Sequence, residues 1–245
     1  MEFVSIRFFV YICIVKLIYM DDKDFNIEFG VLTKYKGNES HVVIPKGVTE
    51  IATWAFFHCD NVTSIVIPSS VNVIGNSAFT GCKNLTSIDI SDNVTWIEKF
   101  AFSGCTNLAS IKIPSSITEI GCGAFEGIKK VKPQYKENGA LRAFKAFNKN
   151  WTCKYYFQYE VGKSYHQNGK IICCSNGFHA CTNPLNVFGY YYGNLNSLRF
   201  AEVELSGEMH KYCDKVAASD INIVRELTVQ DLCEIYNSME KEIYK

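Results

Sequence analysis

Gly177-Phe178-His179-Ala180-Cys181 gathers more reactive side-chain types than any other stretch of this 245-residue chain. It lies between an expected strand and an expected helix start at Asn183-Pro184-Leu185, where side chains can reach a cleft. On an extended segment His179 and Cys181 share a face, the arrangement a Cys-His nucleophile pair needs. The same two residues serve equally as a hydrogen-bonded histidine and a packed thiol. Cys173, Cys174, His179 and Cys181, with Cys153 further off, are also soft metal-ligand types. Reading Lys170 to Cys174 as a strand, however, sends the adjacent cysteines to opposite faces, so the pair cannot join one site. No metal site is therefore expected.

The elements that must position these residues fall into two parts. From Val42 to Val131 the chain repeats every 23 residues without insertion, as Ile51, Ile74, Ile97 and Ile120 show, together with Phe56, Phe79, Phe102 and Phe125 and the ladder Cys59, Cys82, Cys105, Ile128. A strict period of this length predicts a solenoid whose coils bury their apolar faces only against one another. The short alternation Ile65-Val66-Ile67 reads as a half-buried strand stopped by Pro68, which has no N–H to donate. Cys59, Cys82 and Cys105 occupy one repeat position where a small apolar residue packs, so they read as buried, reduced thiols. On the outer face Glu50, Val73, Trp96 and Glu119 stand in register, with Trp96 a natural anchor for a protein partner.

The written pattern, I-x-I-P-x-x-V-x-x-I-x-x-x-A-F-x-G-C-x-N-L-x-S, resembles leucine-rich repeats of the bacterial surface-antigen type. The resemblance implies four stacked coils, mainly β, acting as a protein-interaction module. Residues 1–41 would supply an N-terminal segment and cap, residues 132–139 a polar linker, and residues 140–245 a second domain. Within that domain the order strand (Leu141 to Phe147), strand (Tyr155 to Tyr165), strand (Lys170 to Cys174), short helix (Pro184 to Tyr191), strand (Leu198 to Leu205), strand (Val216 to Leu227) and final helix predicts an α+β fold. Thr228 and Asp231 form a capping-box start, and Val229, Leu232, Tyr236, Met239 and Ile243 make one apolar face, expected to dock on the sheet.

Lys145-Ala146-Phe147, Phe157-Gln158-Tyr159-Glu160-Val161-Gly162-Lys163, Gly177-Phe178-His179-Ala180-Cys181 and Asn183-Pro184-Leu185 together resemble an uncharacterised domain of phage and prophage proteins; the glycine usual before Phe157 is Tyr156 here. The Gly177–Cys181 context is also similar to an ADP-ribosyltransferase of the poly(ADP-ribose) polymerase type. That likeness implies a pocket near Gly177 in which His179 takes the place of a binding-site Tyr, Tyr190 stacks on nicotinamide, and NAD is the ligand. Lys215 stands where that family carries its catalytic Glu, and Lys145 is the nearest counterpart of its opening histidine. Loss of the carboxylate removes the group that would stabilise a cationic sugar. Outside this likeness no cofactor is expected.

Twenty-five basic and 25 acidic side chains balance, with no Lys/Arg stripe, so nucleic-acid binding has no electrostatic footing. Met1 to Met20 is apolar but poorly formed as a signal sequence: Lys16 interrupts it and no small-x-small site follows. It is also short for a spanning helix of about 20 residues. Read as a mis-assigned start before Met20, it leaves a cytoplasmic protein; read as a targeting segment, a secreted or surface one.

Overall fold

The computed structural model describes residues 23–153, 157–212, 215–239 and 241. The reading of Met1 to Tyr19, residues 155 and 156 of the strand expected over Tyr155 to Tyr165, and Ile243 lie outside the described residues.

The chain opens on an antiparallel hairpin, β1 (Phe25–Glu28) and β2 (Val31–Tyr35), turned by Phe29 and Gly30 with φ of 51° and 81°. Two left-handed residues in a two-residue loop match the right-handed twist of the strands they join. Each following coil then gives one strand to each of two parallel sheets. The first coil supplies β3 (His41–Val43) and β4 (Glu50–Ile51), the second β5 (Ser64–Val66) and β6 (Val73–Ile74). The third supplies β7 (Ser87–Asp89) and β8 (Trp96–Ile97), the fourth β9 (Ser110–Lys112) and β10 (Glu119–Ile120). Every rung pairs with the residue 23 positions on, Ile65 with Ile88 and Ile51 with Ile74. The four-coil solenoid read from the period is what the chain forms.

The same register stacks the core. Phe56, Phe79, Phe102 and Phe125 lie ring on ring with centroids 5.0, 5.2 and 5.7 Å apart, and Tyr35 of the hairpin begins the stack 5.0 Å from Phe56. Gly81, Gly104 and Gly127 hold left-handed φ of 75°, 72° and 68° at the turn after each phenylalanine, a conformation that carries no steric cost for glycine. In the first coil His58 takes that place at φ 55°. The cysteine ladder is buried at Cys82 and Cys105, whose thiols donate to Phe56 O and Phe79 O at 3.0 and 3.1 Å, but Cys59 is only half-buried. The expectation of three equally sealed thiols therefore fails at its first rung, where no complete coil precedes to cover it.

The segment expected to be a linker is structured. Gln134–Tyr135 is β11 and pairs antiparallel with β12 (Leu141–Asn148). Then come β13 (Ser164–His166), β14 (Phe178–Cys181), a 3-10 helix Pro184–Gly189, β15 (Gly193–Asn194), a 3-10 turn Leu195–Ser197, β16 (Leu198–Tyr212), β17 (Lys215–Leu227) and the helix α1 (Val229–Ser238). Among the described residues of the strand expected over Tyr155 to Tyr165, only Ser164 and Tyr165 are regular, as part of β13. Lys170 to Cys174 is a turn closed by Ile172 and Asn176 rather than a strand. β16 runs seven residues past Leu205 into an exposed hairpin, where Ser206, Gly207 and Glu208 carry no apolar alternation to announce it.

Pairings β12 with β14, β14 with β17, β17 with β16 and β16 with β12 close on themselves, so these four strands form a small barrel-like ring. Leu141, Phe147, Phe178, Val203, Leu205 and Ile221 fill it. The other face of the domain belongs to the solenoid core. Phe188 of the 3-10 helix sets its ring against Phe125 at 5.9 Å, and β15 pairs antiparallel with β10. Contrary to the expectation that it docks on the sheet, α1 packs mainly on the 3-10 helix and on β9. Asn237 accepts the N–H of Ile111 at 3.0 Å and donates to its carbonyl at 2.9 Å, so a side chain supplies what a further strand would. Tyr236 donates to the carbonyls of Leu108 and Lys129. The second domain thus closes the far ends of both parallel sheets, which would otherwise present unpaired edges.

Candidate functional site

β14 carries His179 and Cys181 on the face opposite Phe178 and Ala180, as its period of two requires; Cys181 is buried and His179 half-buried. Lys145 of the neighbouring β12, itself buried, donates to the His179 carbonyl at 2.8 Å. The His179 Nε2 accepts the N–H of Cys174 at 2.8 Å, which fixes its ring toward the turn at 173–175. That turn brings the two cysteines together. Cys174 has φ 68°, a left-handed conformation, and the thiols stand 4.0 Å apart instead of on opposite faces. Gly177, just before β14, has φ 116° and sits where an added Cβ would lie 3.1 Å from the Ala218 carbonyl.

Tyr190 caps the 3-10 helix and is 43 % exposed, while Lys215 opens β17 opposite Cys181. Lys215 Nζ lies 3.4 Å from the Tyr190 ring centroid and 3.9 Å from Cys174 Sγ. The structure therefore gathers Gly177, His179, Tyr190 and Lys215 around one turn, with the Lys215 ammonium over the aromatic face of Tyr190. Cys153 stands apart, accepting from the Tyr191 hydroxyl at 3.2 Å. Among the described residues no three His, Cys, Asp or Glu side chains are grouped to hold a metal.

On the solenoid, Glu50, Val73, Trp96 and Glu119 form one continuous row across β4, β6, β8 and β10. Trp96 is 41 % exposed and the other three are half-buried. Two more aromatic residues stand out nearby in the coils: Trp54 and Phe100, at equivalent positions, are exposed and hold left-handed φ of 59° and 56°. Bulky residues rarely accept that backbone.

A groove of about 680 Å³ escaped the sequence reading. It runs along β11, β12, β16 and β17, lined by Gln134, Lys136, Arg142, Glu202 and Arg225. Glu202 is buried and accepts two bonds from Arg142, at 2.7 and 3.1 Å, and one from Arg225 at 3.1 Å. Burial pushes its carboxyl up, and the two guanidinium groups more than offset this, holding it below the usual range. The available signal was the pair Glu202 and Glu204 alternating with apolar residues between Phe200 and Leu205, of which Glu202 is the buried one.

Residues 33–150 match the family model of the BspA type leucine rich repeat region, in six copies. The repeats are BspA-type leucine-rich repeats. Residues 141–235 match a domain of unknown function, DUF7666. Among solved structures, a leucine-rich repeat protein of T. pallidum is 36% identical over 42% of this chain and 54% of its own, with a TM-score of 0.41. One from Bacteroides ovatus is 36% identical over 43% of this chain and 31% of its own, with a TM-score of 0.37. One from Bacteroides capillosus is 26% identical over 43% of this chain and 93% of its own, with a TM-score of 0.36. The chain thus spans about half the length of the T. pallidum protein and about a third of the B. ovatus one. No curated protein matches. No helix among the described residues is long and apolar enough to cross a membrane.

Proposed function

We propose that this protein is an interaction scaffold, and that a protein partner docks on the outer row of the leucine-rich repeats around Trp96. The observation that carries the reading is the placement of Trp96: it is 41 % exposed on a strand held by parallel neighbours on both sides, so its ring is presented without a large entropic cost of ordering. Val73 beside it extends the apolar centre, and Glu50 and Glu119 form a charged rim. Interfaces concentrate their binding energy in such aromatic centres, and rim charges tune rate and orientation. The hydrophobic cluster that the array shares with the second domain caps its last coil.

The test is a display selection with the full chain as bait, repeated with Trp96→Ala. Partners of the proposed face are recovered by the wild type and lost with the variant, at a cost of about 2 kcal/mol or more in binding. Recovery of the same partners by both baits moves the interface elsewhere.

A further inference from the structure

The turn at Cys173 and Cys174 belongs to neither the repeat row nor the arginine groove, and its geometry is specific. Adjacent Cα atoms are about 3.8 Å apart, below the roughly 4.4–6.8 Å that a relaxed disulfide spans. Direct S–S bonding here is strained. Two bonds of about 2.3 Å to one pyramidal, three-coordinate soft atom instead place their sulfurs roughly 3.3–3.6 Å apart. The thiols, 4.0 Å apart, reach that separation by a small side-chain rotation, without the approach to about 2.05 Å that an S–S bond demands.

The pair is held in that posture from both sides. Cys174 N–H donates to His179 Nε2 at 2.8 Å and Cys173 N–H to His210 Nδ1 at 3.1 Å. Ile172 and Asn176 close the turn with two backbone bonds of 3.0 and 2.9 Å. Because each imidazole spends a ring lone pair on a backbone N–H, neither offers that nitrogen to a metal. The Lys215 ammonium, 3.9 Å from Cys174 Sγ, opposes a cation at the pair. An uncharged soft acceptor meets no such opposition. Cys174 is exposed and Cys173 half-buried, so an acceptor reaches the pair from solvent. Its exposure makes Cys174 the first of the two thiols that an acceptor from solvent meets.

We propose that Cys173 and Cys174 form a vicinal-dithiol site that captures neutral trivalent arsenicals. An organoarsenous acid carries two hydroxyl groups on arsenic. Cys174 displaces one and Cys173 the other: two As–O bonds break, two As–S bonds form, and the two thiol protons leave with the hydroxyls as two waters. Arsenic stays trivalent, so no oxidant or reductant takes part. Once the first bond has formed the second is intramolecular, and this makes two thiols far better than one.

The experiment titrates the full chain, kept reduced, with phenylarsine oxide and follows it by native mass spectrometry. The wild type should take up one phenylarsenic group at low equivalents, and proteolytic mapping should place it on the peptide containing Cys173 and Cys174. Cys173→Ser and Cys174→Ser, each with an unchanged circular dichroism spectrum, should each weaken uptake by about 100-fold or more. Equal uptake by the Cys173→Ser/Cys174→Ser double variant would overturn the assignment. So would mapping of the arsenic in wild type to any other pair of cysteines, a readout that stands even where a variant misfolds.

Discussion

At the scale of single residues, three arrangements stand out: the stacked thiols of Cys82 and Cys105, the adjacent thiols of Cys173 and Cys174, and the Glu202 carboxylate between two guanidinium groups. The ladder position of Cys82 and Cys105 was readable because the 23-residue period makes neighbours of equivalent residues. The vicinal cysteines were misread because their juxtaposition depends on one left-handed φ, at a Cys rather than a Gly or Asn, and nothing local announces it. Glu202 was overlooked for a related reason, since Arg142 and Arg225 reach it across strands from distant parts of the chain. Its physics supports a sharp expectation. A carboxyl whose folded pKa lies below its unfolded value contributes stability that is fully present above the unfolded pKa and is lost as pH falls through the folded one. Glu202→Gln should therefore flatten the acid limb of the stability profile below about pH 4.5. At neutral pH it should cost about 3 kcal/mol, because two guanidinium groups lose a buried partner. Urea denaturation of both proteins from pH 7 to 3 checks it; parallel curves would show that Glu202 is not the titrating group.

At the scale of elements, local signals fixed where α1 begins but not where it lands. The capping box is present as read, with the Thr228 hydroxyl accepting from Asp231 N–H at 3.0 Å and the Asp231 carboxylate accepting from Thr228 N–H at 2.7 Å. An apolar stripe says that a face is buried without saying against what. Here the deciding partner is polar: Asn237 completes the open edge of β9 through Ile111. A single asparagine in a helix gives no sequence signal for that role. Asn237→Ala should remove both bonds and leave two edge groups of Ile111 without partners, at a cost of about 1–3 kcal/mol. It should also speed amide exchange at Ile111 while leaving Ile88, one rung inward, unaffected. Unchanged exchange at Ile111 would mean that the edge is protected by packing alone.

At the scale of the whole molecule, the two-part division of the sequence does not describe how the core is shared. The repeat ends where its period ends, yet aromatic contact continues edge-on from Phe125 to Phe188 and on to Phe200, at 5.9 and 5.4 Å. One hydrophobic cluster joins all four coils to Leu185, Phe188, Leu227 and the buried face of α1. Periodicity could not show this, because the capping residues come from non-repeating chain more than 50 positions beyond the last coil. In a solenoid each coil is stabilised by its neighbours, so a terminal coil relies wholly on whatever caps it. The consequence is a single cooperative unit: solenoid and barrel should unfold together. The three tryptophans allow a direct check, since Trp54 and Trp96 report on the repeats and Trp151 on the barrel. A Trp151→Phe protein and a Trp54→Phe/Trp96→Phe protein should each give one fluorescence transition in urea, each coincident with the loss of far-ultraviolet ellipticity in the same protein. Phe188→Ala should shift the transitions of both by about 3–5 kcal/mol, although Phe188 lies outside the repeats. If it moves only the Trp151 signal, the two halves fold as separate domains and the aromatic contact between them is incidental.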